Sequence, residues 1–273
     1  MKVYVCAIAK NEHLYINEWV AHYVKLGVDK IYIYDNDDKG TPDIYKSIDR
    51  KYSKYLVFVN VRGQHYDRMQ STIYTQFYKR HYNMFDWCLF CDIDEFLTGI
   101  DNIKEFLNRP YIRNAYQVRV KWKLFGDDNL IERDMSKGVM ETFKKEITEP
   151  LSTDLTRVCK MNNQGKAIVK GHLLGINFVS VHFASTEKYN QILSSVLPNG
   201  RTCRSGVEIK ENYSNINIFL NHYMTKSLSE FVKQKLNRTD AVFGDRHLKL
   251  NYYWRINKKT KAKQKYLKDM GLE

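Results

Sequence analysis

The sequence has no apolar run that approaches the roughly 20 residues of a membrane-spanning helix, so it predicts no membrane span. Its first residues show no signal-peptide pattern and read as a strand, so we expect a cytoplasmic protein. The 5 cysteines lack the spacing of a disulfide framework, as is typical of a reducing compartment. Cys88 and Cys91 have CxxC spacing, but an offset of three residues places them on opposite faces of a strand. We therefore expect both to be buried rather than to form a metal clamp or redox pair.

The overall composition is that of a folded, basic protein. A chain of 273 residues with 43% hydrophobic residues can form one large α/β domain, with or without a C-terminal addition. The net charge of +13 favours anionic partners, namely nucleotides, nucleic acid or an anionic membrane surface. Aromatic residues make up 14% of the chain and suit pockets that stack flat groups, although most of them serve packing.

An acidic stretch follows a strand whose composition is typical of a buried position. Trp87 to Cys91 are apolar, and Asp92, Asp94 and Glu95 come directly after them. Two carboxylates two residues apart point the same way from an extended backbone, and burying them unpaired is costly. The stretch therefore indicates a metal site at the end of this strand. A capped strand end before a helix N-terminus, where acids are also favoured, is the structural alternative.

The order of elements in the first hundred residues predicts a mostly parallel sheet with helices over it. The predicted strands are 3–9, 30–34, 55–61 and 87–94. A helix that Gly27 closes follows the first of them, and residues 64–84 form the second helix.

Polar clusters follow three of these strands. They are Asn11 with Glu12, Asp35 with Asn36, and Asp92 with Asp94. Ligands of open α/β sheets bind beyond the carboxyl ends of the strands. We therefore expect one pocket to gather all three clusters.

The remaining pattern is less regular. We expect a short helix at 103–108, a long strand at 115–125, and two further strands at 167–170 and 178–182 that are antiparallel. Residues 184–212 have the composition of a loop. A helix follows at 228–236, with a capping box between Ser227 and Glu230. From Lys249 the chain reads as a basic helix or tail.

These clusters, in this order, resemble glycosyltransferase family 92 and the related family-2-like bacterial glycosyltransferases, from about residue 3 to residue 240. The matching pieces are Lys10-Asn11-Glu12; Glu18-Trp19 with Tyr23; Leu26-Gly27-Val28; Tyr34-Asp35-Asn36; Asp92-Ile93-Asp94-Glu95-Phe96; Trp122 with Phe125-Gly126; Lys170; Val181-His182; and His222-Tyr223 with Lys226-Ser227. The resemblance implies a GT-A fold, a nucleotide-diphospho-sugar transferase architecture with a DxD metal motif, and sugar transfer with inversion.

Two departures from the family pattern stand out. The family has a Ser soon after the Asp-Asn pair, whereas this chain continues with Asp37-Asp38-Lys39-Gly40. The membrane anchor that precedes the domain in animal members is also absent, so we expect a bacterial version that is soluble or peripheral.

The resemblance assigns a metal set. A divalent cation, Mn²⁺ or Mg²⁺, that bridges the two phosphates of the donor stabilises the charge of the departing diphosphate. Asp94 is expected to coordinate it directly, and Asp92 to coordinate it or to contact ribose or a metal-bound water. His222 completes the metal shell or contacts the diphosphate, with His182 as its competitor. Lys226 is expected to reach the diphosphate as a point charge.

The resemblance also assigns a nucleotide side to the site. Asp35 would accept the imide N–H of uracil, which favours a UDP-sugar donor only weakly. Asn11, Glu12 and Asn36 would lie near the base and ribose. Contacts with the nucleotide are further expected from Arg68 and Gln70.

Inversion requires a base that takes the proton of the acceptor hydroxyl group. The candidates are Asp127 and Asp128, which follow Phe125-Gly126, and Glu95. Both aspartates alternatively belong to an exposed turn. Trp122 either stacks on a sugar face or belongs to the core.

The sequence thus predicts an α/β protein of the GT-A class, with a mixed, mostly parallel sheet flanked by helices. We expect a glycosyltransferase domain at 1–240, with a nucleotide-binding part at 1–97 and an acceptor-side part at 98–240, and a basic helical extension at 241–273. The expected reaction moves a sugar from a nucleotide donor to a glycan or a lipid-linked saccharide in the synthesis of surface polysaccharide or lipopolysaccharide. The basic C-terminus suggests peripheral contact with an anionic membrane at its inner face.

Two alternatives remain open. A nucleotidyltransferase of similar fold is one, although no glycine-rich loop bearing Arg and Lys follows the first strand. A basic nucleic-acid-binding protein is the other. No recognised binding motif supports it, and acids at the strand ends would repel phosphate without a metal, so we expect no nucleic-acid partner.

Overall fold

A mixed sheet of ten strands forms the centre of the described chain, which in this computed structural model comprises residues 1–148, 161–236, 238 and 248–272. The strands are β1 (Val3–Ala9), β2 (Lys30–Asp35), β3 (Leu56–Asn60), β4 (Trp87–Phe90), β5 (Glu95–Thr98), β6 (Gln117–Leu124), β7 (Gly165–Lys170), β8 (Ile176–Ser180), β9 (Phe183–Thr186), β10 (Ser195–Val196), β11 (Thr202–Cys203) and β12 (Phe219–His222). The described helices are α1 (Ile16–Lys25), α2 (Met69–His81), α3 (Ile103–Leu107), α4 (Val139–Thr142), α5 (Leu228–Gln234), α6 (Leu250–Tyr253) and α7 (Lys261–Asp269), with 3-10 turns at Ile44–Ser47 and Arg50–Tyr55.

The strand order is β11-β10-β6-β7-β4-β1-β2-β3, and β12 pairs with both β5 and β6. Strand β1 pairs in parallel with both β2 and β4, and β2 pairs in parallel with β3, so these four strands run in the same direction. Because β7 is antiparallel to both β4 and β6, β6 runs in the direction of β4. The carboxyl ends of β1, β2, β4 and β6 therefore lie at one edge of the sheet. The predicted α/β class, with a mixed, mostly parallel sheet flanked by helices, is confirmed and is consistent with a GT-A fold.

The central strand β1 shows why the sheet is covered on both faces. Its alternate residues, such as Val5 and Ala7, enter a core cluster with α1 and α3, whereas Tyr4 and Cys6 enter a second cluster with α2. The period of two along a strand produces this division. Cys88 and Cys91 likewise enter opposite clusters, and both are completely buried, so that prediction is confirmed.

Helix boundaries follow their local signals. Helix α1 buries Trp19 and Tyr23 on one face, and Gly27 ends it with a φ of 91°, a conformation that glycine adopts readily. Helix α5 begins with the predicted capping box, in which Ser227 accepts from the backbone of Glu230 and the Glu230 side chain accepts from Ser227.

Several elements are shorter in the structure than predicted, or pair with strands other than the predicted ones. The strand predicted at 87–94 ends at Phe90, because the chain turns at residues 91–94 and enters β5. The helix predicted at 64–84 occupies Met69–His81. Strand β7 pairs with β4 and β6, whereas β8 forms a separate hairpin with β9. Residues 184–212, expected to be a loop, contain β10 and β11, which extend the sheet.

The basic C-terminal segment is helical, as predicted, and packs onto α5. Leu228 and Phe231 of α5 form a small apolar cluster with Tyr253 of α6 and Leu267 of α7. The predicted domain boundary between residues 240 and 241 lies outside the described residues. None of the helices that the structure describes combines the length and apolar character needed to cross a bilayer.

Candidate functional site

A cavity of about 230 Å³ opens at the shared carboxyl edge of the sheet, and we call it the strand-end pocket. Its wall collects residues from the ends of several strands. They include Lys10, Glu12, Asn36, Gln70, Asp92, Asp94, Trp122, Lys166, His182, His222, Lys235 and Arg238. The pocket brings together members of all three predicted polar clusters, as expected from parallel strands that end at one edge.

Residues 91–94, here called the acidic turn, are held in place by helix α1. The indole N–H of Trp19 donates to the carbonyl groups of Asp92 (3.1 Å) and Glu95 (3.0 Å). The hydroxyl group of Tyr23 also donates to the Glu95 carbonyl at 3.0 Å. These two aromatic residues thus satisfy buried carbonyl groups of an irregular segment and fix where its side chains point.

Asp94 lies between a histidine and a lysine. Its Oδ1 is 3.4 Å from His222 Nε2, and its Oδ2 accepts a hydrogen bond of 2.5 Å from Lys235 Nζ. Strands β5 and β12 place these groups together, because His222 pairs with Glu95, the neighbour of Asp94. Burial by itself raises the pKa of Asp94, but Lys235 and His222 outweigh it and hold this pKa well below its usual range. The carboxylate is therefore ionised.

Asp92 has its own cation. Its Oδ2 is 3.0 Å from Lys166 Nζ at the start of β7, and its Oδ1 accepts a hydrogen bond from Gln70 of α2. Burial raises the pKa of Asp92, yet the charge of Lys166 outweighs that effect and lowers the pKa. Asp92 and Asp94, the two acids of the DxD motif, are thus ionised, and each is paired with a lysine.

Glu95, a candidate base, does not reach the pocket. Its side chain is completely buried, and its Oε2 accepts from the backbone N–H of Asp92 at 3.0 Å. Burial raises the pKa of Glu95 well above its usual value. Through this hydrogen bond, Glu95 stabilises the conformation of the acidic turn.

The two aspartates predicted as alternative bases lie elsewhere. Both line a second cavity of about 260 Å³, with Lys145, Ile147 and Asn257 among its walls. Asp127 Oδ2 accepts from Tyr253 and Lys263 of the C-terminal helices. Asp128 accepts from the backbone N–H groups of Lys144 and Lys145, at 2.9 and 3.1 Å. The structure therefore does not bring these carboxylates to the strand-end pocket.

Glu12 and Lys226 form a buried pair beside the pocket. Glu12 Oε1 accepts from Arg238 at 3.0 Å, and its Oε2 is 3.8 Å from Lys226 Nζ. Lys226 is only 2% exposed and lies 3.9 Å from the centre of the Tyr15 ring. Burial is the main reason that the pKa of Lys226 falls to about 8. Lys226 thus lies behind Glu12 rather than on the pocket wall.

Of the second predicted polar cluster, Asp35 with Asn36, only Asn36 lines the strand-end pocket. The Asn36 amide donates to the carbonyl groups of Val61 (3.1 Å) and Gln64 (2.8 Å). Asp35 is 3.5 Å from Arg62 Nε and accepts from the backbone of Asp37 at 3.1 Å.

Two other predicted nucleotide contacts lie off the pocket wall. Asn11 has a positive φ of 57° and donates its backbone N–H to Asp37 Oδ1 at 2.6 Å. Arg68 is exposed and pairs with Asp67.

The two candidate histidines differ. His182 Nδ1 is 2.8 Å from the Gly165 carbonyl, and burial, reinforced by the charge of Lys166, lowers the pKa of His182 to about 3. His182 is therefore neutral. His222 contacts Asp94 directly, so the structure favours His222 over His182 as the partner of the acidic turn. Trp122 packs its ring against both histidines.

Several buried polar atoms at or beside this site have no hydrogen-bond partner within the described residues. These atoms include Glu12 Oε2, Glu95 Oε1, Trp122 Nε1, His222 Nδ1 and Lys226 Nζ. Most buried polar groups in proteins are satisfied, so unpaired polar atoms at this place are consistent with ligand binding there.

Sequence reasoning missed the cations of the pocket, namely Lys166, Lys235 and Arg238. Lys170, one of the matching family pieces, lies at the opposite end of β7, where its ammonium group donates to the Arg113 carbonyl. Lys235 and Lys166 carry no local sequence signal, because their partners lie far away along the chain.

The acidic turn supplies part of a ligand set that suits a divalent cation. Carboxylate oxygens and an imidazole nitrogen are suitable ligands, and a cation of this kind takes its remaining ligands from substrate phosphates and water. No group of three or more His, Cys, Asp or Glu side chains preformed for a metal occurs in the part of the chain that the structure describes. Asp94 and His222, with Asp92 beside them, are the residues that would hold it.

Comparison with known proteins agrees with the resemblance seen in the motifs. No protein-family model matches the chain. A glycosyltransferase family 92 protein of Ricinus communis is 26% identical over 134 residues, which cover 46% of this chain and 23% of that protein. The crystal structure of S. aureus TarS is similar with a TM-score of 0.42 and 13% identity, covering 82% of this chain and 37% of that chain. The chain thus spans well under half of either protein, and its similarity to a family 92 glycosyltransferase is confirmed.

Proposed function

We propose that the chain is a glycosyltransferase that moves a sugar from a nucleotide donor, a UDP-sugar, to a glycan or a lipid-linked saccharide. The observation that carries the proposal is the strand-end pocket, in which the DxD carboxylates and His222 lie at the carboxyl edge of the sheet with Glu12 and Asn36. The similarity to a family 92 glycosyltransferase supports it. A role in the synthesis of surface polysaccharide or lipopolysaccharide is part of the same proposal.

The charges of the pocket suit a diphosphate. Four cationic side chains, Lys10, Lys166, Lys235 and Arg238, line it together with three carboxylates. Each of these cations is paired with a carboxylate, namely Lys166 with Asp92, Lys235 with Asp94, Arg238 with Glu12 and Lys10 with Asp38. They lie where they would stabilise the negative charge that a departing nucleoside diphosphate gathers, which lowers the barrier of transfer. A divalent cation held by Asp94, His222 and Asp92 supplies, when bound, further neutralisation of that charge.

Inversion requires a base on the acceptor side, and this step has no assigned residue. The carboxylates that line the strand-end pocket are Glu12, Asp92 and Asp94, whereas Glu95, Asp127 and Asp128 do not line it. The predicted roles of these last three as bases therefore have no support from their positions.

The deciding experiment is isothermal titration with UDP, with and without Mn²⁺, on the wild type and on Asp94→Ala. We expect metal-dependent UDP binding that the substitution abolishes, whereas Asp101→Ala, at an exposed aspartate, leaves it unchanged. Binding that neither metal nor substitution affects would remove the metal role. Binding of single-stranded nucleic acid without UDP binding would instead favour the nucleic-acid alternative, and UDP release without sugar transfer from UDP-sugars would count against the transferase.

A second part of the proposal concerns the membrane. The C-terminal segment exposes five lysines, namely Lys258, Lys259, Lys261, Lys265 and Lys268, whereas Lys263 is buried. Each exposed lysine near an anionic surface contributes about 1 kcal/mol of attraction. We therefore expect the protein to sediment with anionic vesicles at low salt and not with neutral ones; failure to do so removes the membrane contact.

A further inference from the structure

The buried ammonium group of Lys235 is hydrogen-bonded to the carboxylate of Asp94, on which the proposed metal site depends. Lys235 follows α5 as its C-terminal cap, and its Nζ donates to Asp94 Oδ2 (2.5 Å) and to the Met224 carbonyl (2.8 Å). The side chains of Lys235 and Asp94 are each 7% exposed. A charge buried to this extent requires a partner, so the two groups stabilise each other's ionised form.

Both oxygens of Asp94 are therefore engaged. Oδ1 faces His222 Nε2 at 3.4 Å, and Oδ2 is held by Lys235. A divalent cation at this carboxylate and an ammonium group on the same carboxylate would repel each other strongly at such short range and low exposure. Lys235 thus opposes metal binding at Asp94 as long as its ammonium group stays on Oδ2.

Asp92 offers a contrast within the same turn. Its partner Lys166 is 1% exposed and lies between Asp92 Oδ2 (3.0 Å) and Glu95 Oε1 (3.9 Å), so this ammonium group is enclosed by two carboxyl groups. The Asp92 side chain is 31% exposed and keeps an open side toward the pocket. A ligand can approach Asp92 without displacing Lys166, whereas the Asp94 side chain, although it lines the pocket, is only 7% exposed.

We propose that Lys235 is the resident counter-ion of Asp94, that it competes with a divalent cation for this carboxylate, and that it transfers to the diphosphate when metal and nucleotide bind together. This inference rests on the proposed donor site. Lys235 lines the strand-end pocket, so an ammonium group released from Asp94 stays beside the space that an anion would fill. The metal and the diphosphate then favour each other, because each stabilises the state in which Lys235 has left Asp94.

The test measures Mn²⁺ affinity by titration calorimetry on the wild type, Lys235→Met and Lys235→Gln. We expect both variants to bind Mn²⁺ alone about 5- to 150-fold more tightly, the usual range of coupling between two sites. We also expect UDP to enhance Mn²⁺ binding less in the variants than in the wild type. The matched control is Lys10→Met, which removes one positive charge from the same pocket wall, where Lys10 pairs with Asp38 rather than Asp94.

The same set of proteins includes a control for loss of folding. Lys235→Gln keeps hydrogen-bond donors for Asp94 and Met224 while it removes the charge. Mn²⁺ should raise the melting temperature of Lys235→Met more than that of the wild type, because the metal then replaces the lost counter-ion.

The outcomes separate the two proposals. Unchanged or weaker Mn²⁺ binding in both Lys235 variants, or an equal gain in Lys10→Met, overturns the counter-ion role while the metal site stands. Absence of Mn²⁺ binding in every protein overturns the metal site and the counter-ion role together. UDP binding in those same proteins then still tests the nucleotide-sugar proposal by itself.

Discussion

The ammonium group of Lys263 lies against the carboxylate of Asp127 in the interior of the protein, and the hydroxyl group of Tyr253 donates to the same oxygen. Lys263 is completely buried and Asp127 is 3% exposed. This contact joins the turn after β6 to helix α7, so a lysine of the predicted basic tail is a structural residue. It also holds the Asp127 carboxylate against Tyr253 and Lys263, away from the strand-end pocket.

Replacement of Lys263 should therefore destabilise the fold. We expect Lys263→Ala to lower the free energy of unfolding by about 3–5 kcal/mol, because it leaves a buried carboxylate without its cation. The control is Lys265→Ala on the exposed face of α7, with an effect within about 0.5 kcal/mol. Urea denaturation of both variants checks this, and equal stabilities would show that the pair contributes nothing.

Loss of the Tyr23 hydroxyl group should loosen the acidic turn. This group donates to the Glu95 carbonyl at 3.0 Å and accepts from the Leu97 N–H at 3.2 Å. Tyr23→Phe therefore removes the acceptor of the Leu97 N–H and leaves the Glu95 carbonyl with the Trp19 indole as its remaining side-chain donor. We expect a cost of about 1–3 kcal/mol in unfolding free energy and weaker binding of Mn²⁺ with UDP. Tyr189→Phe, at a side chain that is 64% exposed, is the control. Normal affinity in a destabilised Tyr23→Phe would show that the turn does not depend on this anchor.

Lys226 should lower the stability of the protein at neutral pH. Burial lowers its folded pKa to about 8 from 10.5, so the folded state holds this proton less tightly than the unfolded state does. The cost is complete below pH 8 and declines as the pH rises from the folded toward the unfolded pKa. Allowing for the lost cation–π contact with Tyr15, we expect Lys226→Met to be about 1–2 kcal/mol more stable than the wild type below the folded pKa.

The pH series of unfolding that tests this includes Lys210→Met, at an exposed lysine, as control. The advantage of Lys226→Met should shrink above pH 8, whereas Lys210→Met should follow the wild type throughout. A constant advantage at all pH values would contradict a titration of Lys226. If Lys226 contributes to the donor site, the stabilised variant binds UDP more weakly; unchanged UDP affinity would remove it from that site.

Gly165 should not tolerate a side chain. A Cβ at this position would lie 1.9 Å from the Val120 carbonyl oxygen, so Gly165→Ala would push β7 away from β6. We expect a loss of about 1–3 kcal/mol and weaker UDP binding, since neighbouring Lys166 carries the cation of Asp92. Gly206→Ala has no atom within 4 Å of the added group and is the control. Thermal unfolding that does not distinguish the two variants would contradict this packing.

The positions of the strand ends could be predicted because they follow from local patterns. The continuous apolar run of β1 and the polar residues after β1, β2 and β4 predict that Glu12, Asn36 and Asp92 lie at one edge of the sheet, where the strand-end pocket gathers them. The resemblance to family 92 added His222, whose contact with Asp94 the structure provides. The turn that ends β4 at Phe90 was missed, because the run of apolar residues continues beyond the last paired residue.

The sequence by itself determined the two-faced sheet, the helix caps and the gathering of acids at the strand ends, since each depends on residues near one another in the chain. Only the tertiary structure decided which charges meet those acids. Lys235 reaches Asp94 across 141 positions, and Lys263 reaches Asp127 across 136. A buried carboxylate requires a cation, but its identity depends on which distant elements pack around it, and no local pattern records that choice.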